Sequence, residues 1–174
     1  QMDDNSANNN SAGTYAVAMG NGTTASGYNS TAMGSGTTAS GNRSTAMGYG
    51  ATASGTYSTA MGRNTSASGG YSTAMGYGAT ASGDSSTAMG FYTTAGGTIS
   101  TAMGRYTIAS DYSSTVIGQY NSSGSSVTNN ATSFSTSNTA FVIGNGTSGS
   151  LSDAFKVMFN GDATVSNDLT VSGD

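Results

Sequence analysis

Aromatic side chains and arginines recur at one kind of place in this chain, one or two residues beyond a repeated glycine. Tyr28, Tyr49, Tyr57, Tyr71, Tyr77, Phe91, Tyr92, Tyr106 and Tyr120 sit there, Tyr112 follows Asp111 in the glycine's place, and Arg43, Arg63 and Arg105 share the same turns. Aromatic rings exposed along an edge can stack on sugar rings or anchor a protein ligand. The candidate ligand-binding edge is therefore Tyr28, Tyr49, Tyr57, Tyr71, Tyr77, Tyr92 and Tyr106 with Arg43, Arg63 and Arg105. The competing role is structural: tyrosines on adjacent coils cover one another and the sheet edge. Other chemistries lack their parts. The chain has no His, Cys or Glu, which removes the usual bases, thiol nucleophiles and metal ligands. Asp84 and Asp111 stand alone, and no Gly-x-Gly run joins a strand to a helix as a phosphate cradle requires. No catalytic, cofactor-binding or metal residue is expected, no cofactor, and no enzyme.

The elements that position these turns follow from a repeat. Alanine recurs every seventh residue from Ala18 to Ala109, with glycine two places later from Gly20 to Gly104, a gap at Asp111, and Gly118. A fourteen-residue period is superimposed: Met19, Met33, Met47, Met61, Met75, Met89 and Met103, then Ile117. A coiled coil is excluded, because each heptad carries at least one glycine, worth about 1 kcal/mol against a helix, among Ser and Thr. The unit is a strand of about five residues and a two-residue turn, so two strands and two turns make one coil. About eight coils then stack from residue 11 to 118, roughly 38 Å tall at the spacing of strands in a sheet. Large aliphatic residues are scarce among 27 Gly and many Ser and Thr, so the chain cannot build a conventional core. A stack of small side chains and rung-to-rung hydrogen bonds is the way out.

Strand alternation assigns the faces. In Ser30-Thr31-Ala32-Met33-Gly34, Thr31 and Met33 point one way and Ala32 the other; in Thr37-Thr38-Ala39-Ser40-Gly41, Thr38 and Ser40 oppose Ala39. Alanine is common to both strands and belongs in the thin interior. The arrangement with Met inside and Ala outside would set Ser against Met. Met19, Met33, Met47, Met61, Met75, Met89, Met103 and Ile117 then form an exposed apolar stripe, which soluble monomers avoid. Identical chains around a shared axis would cover it, so these eight residues are the expected trimer seam.

The alternation of Ser-Thr-Ala-Met-Gly with Thr-x-Ala-Ser-Gly resembles the head repeat of trimeric autotransporter adhesins, the YadA-like heads. That family pairs a Ser-Val-Ala-Ile-Gly strand with a Ser-x-Ala-x-Gly strand in fourteen residues. Thr31-Ala32-Met33-Gly34 and its copies at Thr45, Thr59, Thr73, Thr87 and Thr101 match the Val-Ala-Ile-Gly part, with Thr for Val and Met for Ile. The resemblance implies an all-β, left-handed parallel β-roll, a homotrimer, and display on a cell surface for adhesion to host matrix or other cells. The run from Asn160 to Gly173 is similar to segments of phage and bacterial fibre proteins.

The expected organisation is a lead-in over 1–10, the roll over 11–118, a Ser/Asn-rich connector over 119–138, and a β-hairpin cap or start of a further fibre segment over 139–174. Within the last part Thr139–Gly144 reads as one more rung, and Ala154–Phe159 with Ala163–Val165 as a hairpin about Asn160-Gly161. Phe141, Phe155 and Phe159 are placed at the closing end, and Leu169–Val171 begins another strand. A net charge of −4 with only four basic residues opposes nucleic-acid binding, and no apolar run suits direct membrane insertion. The expected partners are the chain itself and a host matrix protein or surface glycan, in an extracellular, cell-surface or virion-fibre setting. Two other functions stay open. One is a structural shaft of a phage tail fibre or secreted filament. The other is an ice-binding solenoid, using the hydroxyl ladder Thr24-x-Ser26, Thr38-x-Ser40, Thr52-x-Ser54 and Thr80-x-Ser82.

Overall fold

The computed structural model describes residues 13–122 and 130–166. The lead-in at 1–10, part of the connector and the strand expected at Leu169–Val171 lie outside the described residues. The described chain is all β. Long strands β1 (Val17–Asn21), β3 (Thr31–Ser35), β5 (Thr45–Tyr49), β7 (Thr59–Arg63), β9 (Thr73–Tyr77), β11 (Thr87–Phe91), β13 (Thr101–Arg105) and β15 (Thr115–Gln119) alternate with short ones. The short strands are β2 (Thr24–Ala25), β4 (Thr38–Ala39), β6 (Thr52–Ala53), β8 (Ser66–Ala67), β10 (Thr80–Ala81), β12 (Thr94–Ala95) and β14 (Ile108–Ala109). Each long strand pairs in parallel with the next long strand, and each short strand with the next short one. The register never slips: Thr45 faces Thr59, Ala46 faces Ala60, Met47 faces Met61 and Gly48 faces Gly62. The chain is a two-sheet parallel solenoid with a fourteen-residue rise.

The interior is alanine. Ala32, Ala39, Ala46, Ala53 and their copies through Ala109 are fully buried, which settles the face assignment against Met inside. At the upper end Val116 and Val142 take the alanine column and are also fully buried. The larger side chains lie where the short sheet has ended at β14. Turn hydroxyls share this interior; those of Ser30, Ser58 and Ser72 donate back to the carbonyls of Gly27, Gly55 and Gly69 at 2.7 Å.

The second strand of each coil is shorter than the expected five residues. Beyond Ala39 the N–H groups of Ser40 and Gly41 both reach the single carbonyl of Ala53, at 3.0 and 3.2 Å, so the regular ladder stops and the chain bends. The bend needs glycine, because a Cβ at Gly41 would overlap the Gly55 carbonyl of the next coil. The column runs Gly27 to Gly97 and ends at Asp111.

Asp111 is fully buried, and its Oδ2 accepts the Thr139 N–H at 2.8 Å. The irregular residue in the repeat is the point where the returning chain is fastened. Asn121 closes the short sheet: its Oδ1 accepts from Ile108 N–H at 2.8 Å and its Nδ2 donates to the Ile108 carbonyl at 3.0 Å. The side-chain amide replaces the next rung.

β16 (Thr139–Asn145) then adds a parallel rung on β15, and β17 (Asp153–Met158) and β18 (Ala163–Val165) continue the same sheet antiparallel to eleven strands. This is the small β cap. Phe141 and Phe155 meet edge to face at 6.3 Å, whereas Phe159 packs on Phe134 of the connector at 5.2 Å.

Candidate functional site

Four surfaces of the roll carry the residues singled out by sequence: the two sheet faces and two edges. On the long-strand face, Met19, Met33, Met47, Met61, Met75, Met89, Met103 and Ile117 stand in one unbroken register. Met19 and Met33 are 51% and 36% exposed, and the others are half-buried against their neighbours. The column does not stop at Ile117. Ile143 pairs with Ile117, Phe155 with Ile143 and Val165 with Phe155, so the apolar line crosses into the antiparallel cap. The continuation escapes the sequence repeat because the step from Ile117 to Ile143 is not fourteen residues and the next pairing reverses direction.

The turn residues divide between two opposite edges, where sequence spacing had placed them in one set. The first edge follows the short strands and holds Tyr28, Arg43, Tyr57 and Tyr71. Its second turn position is left-handed in every coil, with φ of 55° at Arg43, 59° at Tyr57 and 57° at Tyr71. Each such residue donates its N–H to the coil below, as Tyr57 does to the Asn42 carbonyl at 2.8 Å. Arg43 lies between rings, 5.8 Å from Tyr28 and 5.1 Å from Tyr57, and its Nη1 donates to the Tyr57 hydroxyl at 2.6 Å. Tyr57 and Tyr71 stack at 5.1 Å. Asp84 belongs to this edge, and its Oδ1 accepts the Gly70 N–H at 2.8 Å, a link between coils.

The second edge follows the long strands and is richer. One column runs Tyr49, Arg63, Tyr77, Phe91, Arg105 in strand register. A second column, one residue on, contains Tyr92, Tyr106 and Tyr120, all left-handed. Tyr92 stacks on Tyr106 at 5.2 Å and Tyr106 on Tyr120 at 4.8 Å, while Tyr77 stacks on Phe91 at 5.1 Å. Gly78 makes room for this: a Cβ there would run into the Tyr92 ring. Arg63 lies 5.5 and 5.4 Å from the Tyr49 and Tyr77 rings. Arg105 lies 5.8, 5.6 and 5.3 Å from those of Phe91, Tyr106 and Tyr120. A side-chain hydrogen bond with Tyr77 that favours the protonated phenol, reinforced by desolvation, raises the Tyr92 pKa above the ordinary tyrosine value of 10.0. Where this edge meets the cap, a cleft of about 370 Å³ is lined by Tyr106, Ile108, Tyr120, Asn121, Ser148 and Leu151. Ile108, Ser148 and Leu151 were not among the residues sequence reasoning selected, since each breaks the repeat or lies outside it. Tyr112 is half-buried and joins neither ladder.

No group of three or more His, Cys, Asp or Glu residues comes together among the described residues. What the arrangement offers is periodic surface: an apolar line, two aromatic edges and a hydroxyl-bearing face. The same period decides the family. The model for the YadA head domain repeat (2 copies) matches residues 11–37, 39–65, 67–93 and 95–121, each match spanning two coils. The chain belongs to the YadA head repeat family. No curated protein matches it. This YadA-like head thus has the repeat of the trimeric autotransporter adhesins, a structural and adhesive family whose heads are surface-exposed. The matches stop at residue 121, where Asn121 caps the short sheet of the YadA-like roll.

Proposed function

We propose that the chain is the head of a trimeric, surface-displayed adhesin, which attaches through shallow sites repeated along the roll edges. The observation that carries this reading is the in-register Met column, left partly exposed along the long-strand face. Magnitudes favour a partner for it. Each coil buries its two column alanines and a third methyl, from Thr37, Ala51, Thr65 or their equivalents, worth roughly 0.8 kcal/mol apiece, whereas fully burying one exposed Met side chain contributes about 1.5–3 kcal/mol. With most of the Met side chains already half-buried, covering the column between chains adds roughly 1 kcal/mol per coil, the same order as the interior's own contribution. Three copies around one axis would cover it, with Met19, Met33, Met47, Met61, Met75, Met89, Met103 and Ile117 as the seam. The edges would then face outward in triplicate. Shallow contacts multiplied in this way raise avidity without a pocket, by roughly 10²–10⁴ over a single site. Host matrix proteins and surface glycans are the fitting ligands, at the cell surface or on another extracellular fibre.

The experiment is a matrix-protein and glycan array probed with the intact chain and with the Met61→Asp, Met75→Asp double variant. Strong binding by the intact chain, weakened at least tenfold in the variant, supports the adhesive trimer. An intact chain that binds nothing on the array would make it a passive shaft. One observation favours another function: Thr24, Thr38, Thr52, Ser66, Thr80 and Thr94 hold a single register on the short-strand face, a flat hydroxyl array of the kind that orders water. Thermal hysteresis in freezing solutions would assign the roll to ice binding.

A further inference from the structure

The distribution of charge singles out the second edge. Of the eight acidic residues only Asp84 and Asp111 lie within residues 11–118, together with three of the four basic ones. Asp111 is buried beneath the cap, and Asp84 sits on the first edge bonded to Gly70. The second edge thus carries Arg63 and Arg105 with no carboxylate in its turns, although the chain as a whole is at −4.

Both guanidinium groups are held by rings alone, and neither has a hydrogen-bond or ion-pair partner among the described residues. A guanidinium stacked on aromatic faces keeps its N–H edge available, and it is stiffened where a free arginine would lose rotamer freedom on binding. Such an edge meets a carboxylate or sulfate in bidentate fashion. Arg63 and Arg105 stand three coils apart, about 14 Å at the spacing of sheet strands. Tyr77 and Phe91 fill the column between them.

The rings narrow the ligand further. Tyr77, Phe91, Tyr92, Tyr106 and Tyr120 have faces against one another at 4.8–5.2 Å. Nucleic acid binds single-stranded by stacking bases on open ring faces, and here those faces are shared between neighbours. What the edge presents is phenol hydroxyls, which suit the O–H groups of saccharides. Resting on the adhesive reading above, we infer that this edge is a binding rail for an acidic polysaccharide, with Arg63 and Arg105 taking its anionic groups and the tyrosine hydroxyls hydrogen-bonding the sugar backbone between.

Polygalacturonate, neutral dextran and oligo(dT) are the probes, tested on the intact chain at low and high salt. The rail predicts polygalacturonate binding that falls at least tenfold with salt, and no dextran binding. The Arg63→Gln, Arg105→Gln double variant should lose at least tenfold in affinity. Lys156→Gln, the one basic residue outside the turns of the roll, on β17, should bind as the intact chain does. Circular dichroism confirms that each variant remains folded. Equal binding of dextran, an unaffected double variant, or oligo(dT) binding that depends on the same arginines would each overturn the inference. Array binding that persists in the double variant would sink the rail and leave the adhesive head standing.

Discussion

The glycine at the fourth place of each long strand answers to two constraints at once. At Gly62 the backbone φ is +123°, and a Cβ would overlap the carbonyl of Gly76 one coil above. Gly62→Ala should therefore cost at least about 2 kcal/mol, from backbone strain plus displacement of the neighbouring coil. Denaturant unfolding measures it, and a loss below 0.5 kcal/mol would contradict the close approach of the coils. Tyr92 gives a pH prediction. Its proton is held more tightly in the folded edge than in the unfolded chain, chiefly by the Tyr77 hydrogen bond. The contribution is complete below the ordinary value of 10.0 and is lost as pH rises through the elevated folded value. In ultraviolet titration Tyr77→Phe should bring Tyr92 down toward ordinary tyrosine; an unmoved titration would remove the hydrogen bond as the cause. At this scale sequence was a good guide to faces, because alternation alone sets Ala32 inward and Met33 outward. It could not separate the edges, since an aromatic residue after a glycine reads the same at either turn.

Element boundaries were less legible than element faces. The short strands end after two residues because Ser40 and Gly41 share one acceptor, a backbone event with no side-chain signature. Asp111 was visible as a gap in the glycine column, but its use is tertiary: it fastens Thr139 across the connector. Asn121 looked like one polar residue among many and turns out to terminate the seven-stranded sheet. Removing it exposes a test. Asn121→Ala leaves the Ile108 N–H and carbonyl without that amide, at roughly 1–3 kcal/mol. Hydrogen exchange should show the Ile108 amide losing protection while Thr52 keeps its own. Protection unchanged at Ile108 would mean that another group caps the sheet.

The described residues form a rod with an apolar line along it, and that line is longer than the repeat. Sequence periodicity ends at Ile117, yet register carries the line through Ile143, Phe155 and Val165. Its continuity across a change of strand direction argues that the long-strand face is a single functional surface. A monomer would leave that surface against water, while a trimer would bury it and turn the aromatic edges outward. Solution mass by light scattering tests this most directly. A value three times the 17.0 kDa chain, reduced to one chain in the Met61→Asp, Met75→Asp variant, is the predicted result. A monomeric intact chain, or a variant that stays folded and trimeric, would contradict the seam.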